Sequence, residues 1–448
     1  EMPFYARILV MKRALLQPLI DWKSSKHRKP LLLMGARQVG KTTLLRHFGQ
    51  KMYRNVVEVN FEARPDLKLI FEKNLEPDRV LRDLALELDL DEAITPGETL
   101  LFFDEIQECP NALNSLKYFN ENANQYHVCG AGSLLGVKLG HTKGFPVGNV
   151  TFKTLYPLSF MEFLDVLDQS RLKEYLLSLT LSDTITETIH QKLLQYLKYY
   201  FFVGGMPEAV SVYKDTQDFR EVRQIQNNIV RAYDLDFVKH APESIIMRIT
   251  ECFHSIKSQL AKENKKFIYS VVRKGGRART YEDAIQWLLE AGLIYKVYQA
   301  STPKLPLSAY EDRHIFKAYL LDVGLLNMMA DLPAKTIVQE NALFQEFRGS
   351  LTENYVAQTM ITQHDHLHYW TSGNVAEVDY IFRHEDKIYP LEVKSGTTGK
   401  KKSLLVYKDK YKPDLVLRAS PQNLNKQDGF VNIPLYMLAL LPKLLSER

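Results

Sequence analysis

The chain has 448 residues, of which 45% are hydrophobic and 25% are charged, and its formal net charge at pH 7 is +5. At about 100 to 200 residues per domain, this length predicts two to four domains, and the composition excludes disordered and fibrous proteins. The longest nearly uncharged apolar stretch, about 430–442, is too short for a membrane helix, so we expect no membrane partner.

The expected compartment is the cytoplasm. Cys109, Cys129 and Cys252 lie far apart and form neither a disulfide framework nor a zinc knuckle. The first residues lack the basic segment and apolar core of an export signal.

In chain order, four short apolar runs in the first 150 residues predict strands, and longer amphipathic stretches between them predict helices. The predicted strands are 30–34, 55–61, 99–103 and 127–130, and the clearest helices are 42–48 and 77–90. This alternation indicates an α/β fold in which a parallel sheet is covered by helices.

The pattern then changes to helices over 158–241. A glycine turn at 203–207 divides this helical region, and Pro207 suits the first turn of a new helix. From 244 to about 326 we predict helices followed by paired strands, with Thr280 and Asp283 as a capping box for a helix over 281–291. A helix followed by a β-ribbon is typical of a winged helix.

The last segment reads as a mixed α/β module. It begins with a helix over 341–362, continues with a hairpin of strands at 375–383 and 387–394, and ends with a helix and another strand. We find no internal repeats.

A phosphate-binding loop follows the first strand, because GARQVGKT at 35–42 fits G-x-x-x-x-G-K-[ST] between a strand and a helix. Lys41 would reach the β- and γ-phosphates and Thr42 would bind Mg²⁺. The alternative is a glycine-rich turn with a solvated lysine. The expected nucleotide contacts are Gly35, Ala36, Arg37, Gln38, Val39, Gly40, Lys41, Thr42 and Thr43.

Two adjacent carboxylates end the third strand, at the sheet edge where α/β folds bind ligands. Asp104 would hold the metal ion, and Glu105 would orient and deprotonate the attacking water. If the next strand lies between the other two, Ser133 at its end could contact the γ-phosphate, although an ordinary turn serine is equally consistent. An Asn-Lys-x-Asp pattern at 425–428 lies far from this loop, so we treat it as coincidental and expect ATP.

A second group of carboxylates lies on the C-terminal hairpin. Folding the hairpin about its turn brings Asp379 opposite the region of Glu392, and Lys394 shares a face with Glu392. Two carboxylates and a lysine at a strand end suit a Mg²⁺ site for phosphodiester hydrolysis, to which Glu353 on the preceding helix could add a ligand. A solvated hairpin face with a cross-strand ion pair is the alternative.

The net charge conceals an uneven distribution. Residues 62–108 hold 14 acidic and 5 basic side chains. Residues 255–281 hold eight basic side chains and one acidic one, and 394–418 hold eight basic and two acidic ones. Clustered lysine and arginine can neutralise consecutive phosphates, so we expect the two basic segments to contact double-stranded DNA. Solvated helix faces, or a contact of 255–281 with the acidic stretch, remain open alternatives.

These motifs together resemble the prokaryotic AAA-type ATPases of the archaeal-ATPase, STAND-related group, which have a C-terminal domain of unknown function with a restriction-endonuclease-like core. The matching segments are GARQVGKTTLL at 35–45, FDEIQ at 103–107, GAGS at 130–133, YPLSFMEF at 156–163, GGMPE at 204–208, LLDVGL at 320–325, ENYV at 353–356, EVD at 377–379 and LEVK at 391–394.

The resemblance implies a domain order. It gives a P-loop core at 1–157, a helical lid at 158–241, a winged-helix-like segment at 242–335 and a nuclease-like domain at 336–448. It also implies nucleotide contacts for Lys41 and Thr42, Walker B roles for Asp104 and Glu105, and PD-(D/E)xK-type roles for Asp379, Glu392 and Lys394. A homo-oligomer remains an open alternative.

The functional expectation is a Mg²⁺-dependent ATPase whose nucleotide state controls a DNA-binding C-terminal half, with cleavage of the DNA by that half left open. The alternative is a signalling or scaffold ATPase whose nuclease-like domain binds a protein or nucleic acid without cutting it.

Overall fold

The computed structural model describes residues 11–139, 148–262, 265–334, 342–373, 375–396 and 402–447. The chain divides into two compact units. The first comprises Glu1–Tyr156 with Glu290–Gly292, and the second comprises Pro157–Leu289 with Leu293–Arg448.

The first unit alternates strands and helices, as its apolar runs predict. Its elements are α1 (Leu16–Ser24), β1 (Leu31–Met34), α2 (Lys41–Met52), β2 (Asn55–Asn60), α3 (Pro77–Glu87), β3 (Thr99–Asp104), α4 (Pro110–Asn122), β4 (His127–Ala131), α5 (Leu135–Leu139) and β5 (Thr151–Thr154), with 3-10 turns at Pro65–Phe71 and Ile106–Glu108.

These strands form one parallel sheet in the order β2-β3-β4-β1-β5. Strand β3 is buried along its whole length, which explains its continuous apolar sequence. Strand β4 lies between β1 and β3, which is the condition we set for Ser133 to approach the phosphate loop. The sequence did not predict β5, because its four residues are mostly half-exposed and partly polar.

The second unit begins with helices, as expected. They are α6 (Phe160–Val166), α7 (Ser170–Ser178), α8 (Glu187–Val203), α9 (Pro207–Thr216), α10 (Phe219–His240), α11 (Ile246–Leu260), α12 (Tyr269–Val272) and α13 (Ala278–Glu290), with a 3-10 turn at Glu243–Ile245. Pro207 begins α9 as predicted. The predicted capping box at Thr280 is wrong, because α13 begins at Ala278 and includes both box residues.

The rest of the second unit is built on a mixed sheet flanked by helices. Its elements are β6 (Ile294–Ala300), β7 (Glu311–Leu320), α14 (Val323–Met329), α15 (Ala342–Met360), β8 (Leu367–Thr371), β9 (Glu377–His384), β10 (Lys387–Val393), α16 (Lys402–Tyr411), β11 (Val416–Ser420), β12 (Asn425–Gln427), β13 (Phe430–Pro434) and α17 (Leu441–Ser446), with 3-10 turns at Leu307–Tyr310 and Leu435–Leu440.

The ribbon of β6 and β7 belongs to the same sheet as the C-terminal strands. The strand order is β12-β13-β11-β10-β9-β8-β6-β7, and β6 pairs with β7 on one side and with β8 on the other. The β6–β7 ribbon is therefore part of a larger sheet, the winged-helix interpretation is not confirmed, and this sheet crosses the boundary that we expected near residue 335. Alternating burial predicts a strand but does not identify its partner.

A buried aspartate explains two of the sequence motifs. Asp322 accepts hydrogen bonds from Gly205 N at 2.6 Å, from Leu325 N at 3.0 Å and from Gln358 Nε2 at 3.3 Å. Gly204 has φ 75°, and a Cβ there would lie 2.1 Å from Asp322 Oδ1. The GGMPE and LLDVGL segments are thus two sides of one structural contact within the second unit.

Candidate functional site

The loop between β1 and α2 has the backbone of a phosphate cradle. Gly35, Gln38 and Gly40 have φ values of 138°, 68° and 93°, so the chain curls through conformations that favour glycine. A Cβ on Gly35 would lie 2.2 Å from Leu155 O, which makes any other residue at this position clash. The predicted contact residues Ala36, Arg37, Val39 and Thr43 lie in this loop and in the first turn of α2.

Lys41 is buried and points back into this loop. Its Nζ donates to Gly35 O at 2.9 Å and to Ala36 O at 2.8 Å. Burial lowers the pKa of Lys41 to about 8, although Glu105 and Asp104 favour its charged form. The ammonium is therefore mostly charged at neutral pH and is held by neutral carbonyls that a phosphate can replace.

Asp104 and Thr42, which we expect to share a metal ion, are in hydrogen-bond contact at the carboxyl end of β3. Thr42 Oγ1 donates to Asp104 Oδ2 at 3.0 Å, and Asn60 Nδ2 donates to the same oxygen at 3.1 Å. Burial, followed by the nearby Glu105, raises the pKa of Asp104 to about 6. A hydroxyl and a carboxylate are oxygen donors that suit Mg²⁺. Asn60 belongs to no motif of the sequence, although its position at the end of β2 is a usable signal.

Glu105 is positioned by its backbone and by a neighbouring amide. The residue has φ 49°, and Gln107 Nε2 donates to Glu105 Oε2 at 2.5 Å. A Cβ on Gly132 would lie 2.0 Å from Gln107 Oε1, so the GAGS segment makes room for this amide. Ser133 is buried two residues after the end of β4, the strand that neighbours β3.

Arg13 supports the phosphate loop from outside the motif. Its Nη1 donates to Val39 O at 2.8 Å and its Nη2 donates to Tyr156 O at 2.6 Å. One guanidinium thus links the middle of the phosphate loop to the backbone of Tyr156, which follows β5. No short motif contains Arg13, so the sequence alone does not reveal this role.

The second unit brings the predicted C-terminal carboxylates together. Asp379 Oδ2 accepts from Val393 N at 2.7 Å, and Lys394 Nζ donates to Glu392 Oε1 at 2.5 Å. Glu353 on α15 interacts electrostatically with both Asp379 and Glu392. Burial, followed by Glu392 and Glu353, raises the pKa of Asp379 well above its usual range.

Two lysines that the sequence analysis did not assign also belong to this cluster. Lys317 on β7 is 2% exposed, and its Nζ lies 2.7 Å from Glu377 Oε1 and 3.9 Å from Asp379 Oδ1. Lys265 pairs with Glu353 Oε1 at 2.5 Å, and Tyr319 donates to the other oxygen of Glu353 at 2.9 Å. Both lysines are far from the hairpin in sequence.

The electrostatics of this cluster follow from burial and pairing. Burial opposes the charge of Lys317, but Glu353, Asp379 and Glu377 outweigh it and raise the pKa of Lys317. Burial also opposes ionisation of Glu353, but Lys265 and Lys317 lower the pKa of that carboxyl. Burial raises the pKa of Glu392 even though Lys394 favours its charged form.

The donor set in the second unit is compatible with a lightly coordinated ion. Within the described ranges, no three histidine, cysteine or acidic side chains are grouped so as to hold a metal ion. Mg²⁺ usually keeps several waters and needs only one or two carboxylates. Glu392 Oε2 is buried and has no hydrogen-bond partner, so it offers one such oxygen beside Asp379.

The basic segments are only partly solvent-exposed. In 255–281, Lys265 points inward to Glu353, Arg273 lies 3.8 Å from Glu251, and Lys274 and Arg277 are exposed. In 394–418, Lys408 donates to Asp428 O at 3.0 Å. Lys400 and Lys401 lie outside the described residues. None of the helices in the described part of the chain is both long and apolar enough to span a bilayer.

Three family models match separate parts of the chain. Residues 27–164 match an AAA domain, 194–336 match a domain of unknown function (DUF8612), and 348–438 match another domain of unknown function (DUF4143). No curated protein matches the chain.

Solved structures give weaker similarities. The Walker-type ATPase PABY2304 of Pyrococcus abyssi is 16% identical, with 71% of this chain and 96% of that chain covered and a TM-score of 0.46. The Aeropyrum pernix Orc1 protein in complex with DNA is 14% identical, with 74% and 94% covered and a TM-score of 0.29. The Thermotoga maritima RuvB Holliday junction branch migration motor is 15% identical, with 65% and 90% covered and a TM-score of 0.28.

Superpositions this poor carry no inference about partners or activity. The AAA match, in contrast, spans the phosphate loop and the positions of Asp104, Glu105 and Ser133. Residues 27–164 are an AAA-type P-loop ATPase domain.

Proposed function

We propose that this protein is a Mg²⁺-dependent ATPase whose nucleotide state controls a C-terminal half that binds and cleaves double-stranded DNA. The observation that carries the proposal is the convergence of Asp379, Glu392 and Lys394 in the same chain as an AAA domain. A buried carboxylate pair with a lysine is the kind of donor set that phosphodiester hydrolysis uses.

In the first unit, each residue has a distinct task in hydrolysis. Lys41 would exchange its two carbonyl partners for phosphate oxygens, and Thr42 with Asp104 would hold Mg²⁺, which neutralises charge on the phosphates. Glu105 would accept the proton of the attacking water while Gln107 fixes its orientation. Ser133 would donate to the γ-phosphate.

In the second unit, the proposed site would act on a DNA phosphate. Asp379 and Glu392 would supply metal-binding oxygens, whereas the expected third ligand, Glu353, is paired with Lys265 and Tyr319 and, in the described part of the chain, is not grouped with them as a metal ligand. A bound Mg²⁺ would polarise the phosphate and lower the pKa of a water. Lys394 lies beside Glu392 and would stabilise negative charge that develops on the phosphate. The exposed part of segment 255–281 and the helix α16 (Lys402–Tyr411) would contact the DNA backbone.

A second candidate function is DNA or protein binding without cleavage. It is favoured by Lys265 and Lys317, because these lysines already neutralise carboxylates that a metal ion would need. In such a protein, the nucleotide state would change how the C-terminal domain binds its partner, and the domain would not cleave that partner.

A cleavage assay decides between the two candidates. Supercoiled plasmid is incubated with Mg²⁺ or Mn²⁺, with and without ATP, and with parent, Asp379→Ala and Lys394→Ala proteins. The proposal predicts metal-dependent nicking that both variants lose. Lys443→Ala, at a lysine on α17 whose partners lie elsewhere, is the control. Equal or absent nicking in parent and Asp379→Ala would support binding without cleavage.

A further inference from the structure

The C-terminal carboxylate cluster is assembled from two parts of the chain that match different family models. Glu353, Asp379 and Glu392 lie within 348–438, whereas Lys265 and Lys317 lie within 194–336. Lys317 reaches the cluster because β7 joins the same sheet as β9 and β10. Lys265 reaches it because the segment before α12 runs beside β7, where Lys266 forms a bridge with Lys317. The earlier segment therefore supplies positive charge to acids of the later one.

Lys317 is held at this position by several contacts. Its Nζ lies 2.7 Å from Glu377 Oε1, 3.9 Å from Asp379 Oδ1 and 4.9 Å from the ring centre of Tyr369. The side chain is 2% exposed. An ammonium buried among carboxylates is strongly bound. Separating the two would leave an unpaired charge in a poorly solvated site, which is unfavourable.

One oxygen of the cluster nevertheless lacks a partner. Glu392 is 7% exposed, and its Oε1 accepts from Lys394 while its buried Oε2 has no hydrogen-bond partner. A buried carboxylate oxygen without a donor is unfavourable unless a cation or water satisfies it. This oxygen is the part of the cluster that the described lysines do not satisfy.

A divalent ion at Asp379 would lie close to the Lys317 ammonium. Two positive centres a few ångströms apart repel each other, and burial reduces the screening by solvent. Glu377 and Asp379 cannot be fully available to both cations at once. Metal binding must therefore displace the ammonium or proceed against its charge.

We propose that Lys317 is an internal cation that competes with a divalent metal ion for Asp379 and so sets the metal affinity of the C-terminal site. This inference rests on the metal-dependent site of the proposed function. Lys317 is thus a positioning residue for the carboxylates.

The direct test measures Mn²⁺ binding, without any cleavage. Nucleotide-free parent, Lys317→Gln and Lys317→Arg proteins are titrated with Mn²⁺ by calorimetry and by electron paramagnetic resonance. Loss of binding in the Lys317→Gln/Asp379→Ala double variant identifies the ion at this site. Lys296→Gln is the matched control, because Lys296 lies on the neighbouring strand β6 over the ring of Phe316.

We expect Lys317→Gln to bind Mn²⁺ at least about tenfold more tightly than the parent, a range typical of changes around metal ligands. Lys317→Arg keeps the charge and should bind as weakly as the parent, as should Lys296→Gln. Equal affinity in parent and Lys317→Gln would overturn the inference while leaving the metal site intact. Failure of every protein to bind Mn²⁺ at this site would overturn both the inference and the proposed metal site.

Thermal unfolding gives a second readout. Without metal, Lys317→Gln removes the ammonium beside Glu377 and Asp379, so the unfolding temperature of the variant should fall and should recover when Mn²⁺ is added. The parent should show little response to the ion. If Lys317→Gln does not fold, Lys317→Gln/Glu377→Gln removes the ion pair as a unit and is titrated instead. No Mn²⁺-dependent stabilisation beyond that of the parent would count against the competition.

Discussion

The two candidate sites combine carboxylates with lysines, but they hold their lysines differently. In the first unit, Lys41 donates to two carbonyl oxygens of its own loop, and the pKa of its ammonium is lowered to about 8 by burial. In the second unit, Lys265, Lys317 and Lys394 each pair with a carboxylate. The first lysine has neutral partners and the other three have charged ones.

This difference indicates how each site responds to a ligand. A carbonyl is a weaker partner for an ammonium than a phosphate is, so Lys41 can move to a nucleotide at little cost. A carboxylate is a strong partner in a buried site, so Lys317 opposes the arrival of a metal ion. The lysine of the first site can therefore bind a nucleotide phosphate, whereas the carboxylates of the second site are already neutralised by lysines.

The largest expected effect tests the base in the first site. Glu105→Gln should retain ATP binding but lower hydrolysis by about 10² to 10⁴-fold, because the amide cannot accept the proton of the attacking water. Steady-state phosphate release and binding of labelled ATP measure the two properties. Glu87→Gln, at an exposed position at the end of α3, is the control. Hydrolysis at the parent rate would remove Glu105 from the mechanism.

The next effect tests the contribution of Lys41 to ATP binding. Lys41→Ala should weaken ATP binding by roughly a hundredfold or more, since charge-assisted hydrogen bonds contribute about 1.5–3 kcal/mol each. Calorimetry with a slowly hydrolysed ATP analogue measures the affinity. Lys51→Ala, at an exposed lysine on the same helix, should bind like the parent. An unchanged affinity in Lys41→Ala would show that the loop does not bind the phosphates.

An acid titration tests the contribution of one buried histidine to the stability of the first unit. His127 is buried on β4 with its Nδ1 2.7 Å from Tyr53 Oη, and burial lowers its pKa to about 4. The unfolded chain therefore binds a proton between about pH 6.5 and 4 that the folded state does not, so His127 destabilises the first unit as pH falls through this window.

The expected loss from His127 is about 2 kcal/mol between pH 7 and pH 5. His127→Asn, which keeps an acceptor for Tyr53, should remove this part of the pH dependence. Urea unfolding at several pH values, followed by hydrogen exchange of the strands of the first unit, measures the difference. Identical pH dependence in parent and variant would contradict the assignment.

The smallest expected effect concerns the exposed part of segment 255–281. Lys274→Gln/Arg277→Gln should weaken DNA binding equally for all sequences and should lower the salt dependence by about 1 per charge. Fluorescence anisotropy of a labelled duplex at several salt concentrations measures the slope. Lys192→Gln, at an exposed lysine on α8, is the control. If the double variant shows the same salt dependence as the parent, Lys274 and Arg277 do not contact the DNA and are solvated surface residues.

The sequence predicted the first unit well because its evidence is local. The P-loop has fixed spacing, and β3 combines a continuous apolar run with two adjacent carboxylates, so position along the chain gives position in the fold. Arg13, Asn60 and Gln107 were missed because their roles depend on contacts between separate elements. The sequence also did not determine the order of the strands, and the structure shows that β4 lies between β1 and β3.

The second unit was harder to predict because its contacts are distant in sequence. The hairpin alone suggested Asp379, Glu392 and Lys394, but nothing local distinguishes Lys317 from an ordinary strand residue or Lys265 from the rest of a basic segment. Strand periodicity at 294–320 was visible, whereas the pairing of β6 with β8 was not. Counting charges along the chain therefore assigned Lys265 to a surface, although it points into a buried ion pair.

Nucleotide control of the C-terminal half is the central claim, and DNA affinity measured in defined nucleotide states tests it most directly. The Glu105→Gln protein is held nucleotide-free, with ADP, or with Mg²⁺ and ATP, and its affinity for a labelled duplex is measured in each state. The account predicts different affinities with ATP and with ADP, and it predicts that Lys41→Ala abolishes the difference. Equal affinities in all three states, from a protein shown to bind both ATP and DNA, would contradict it.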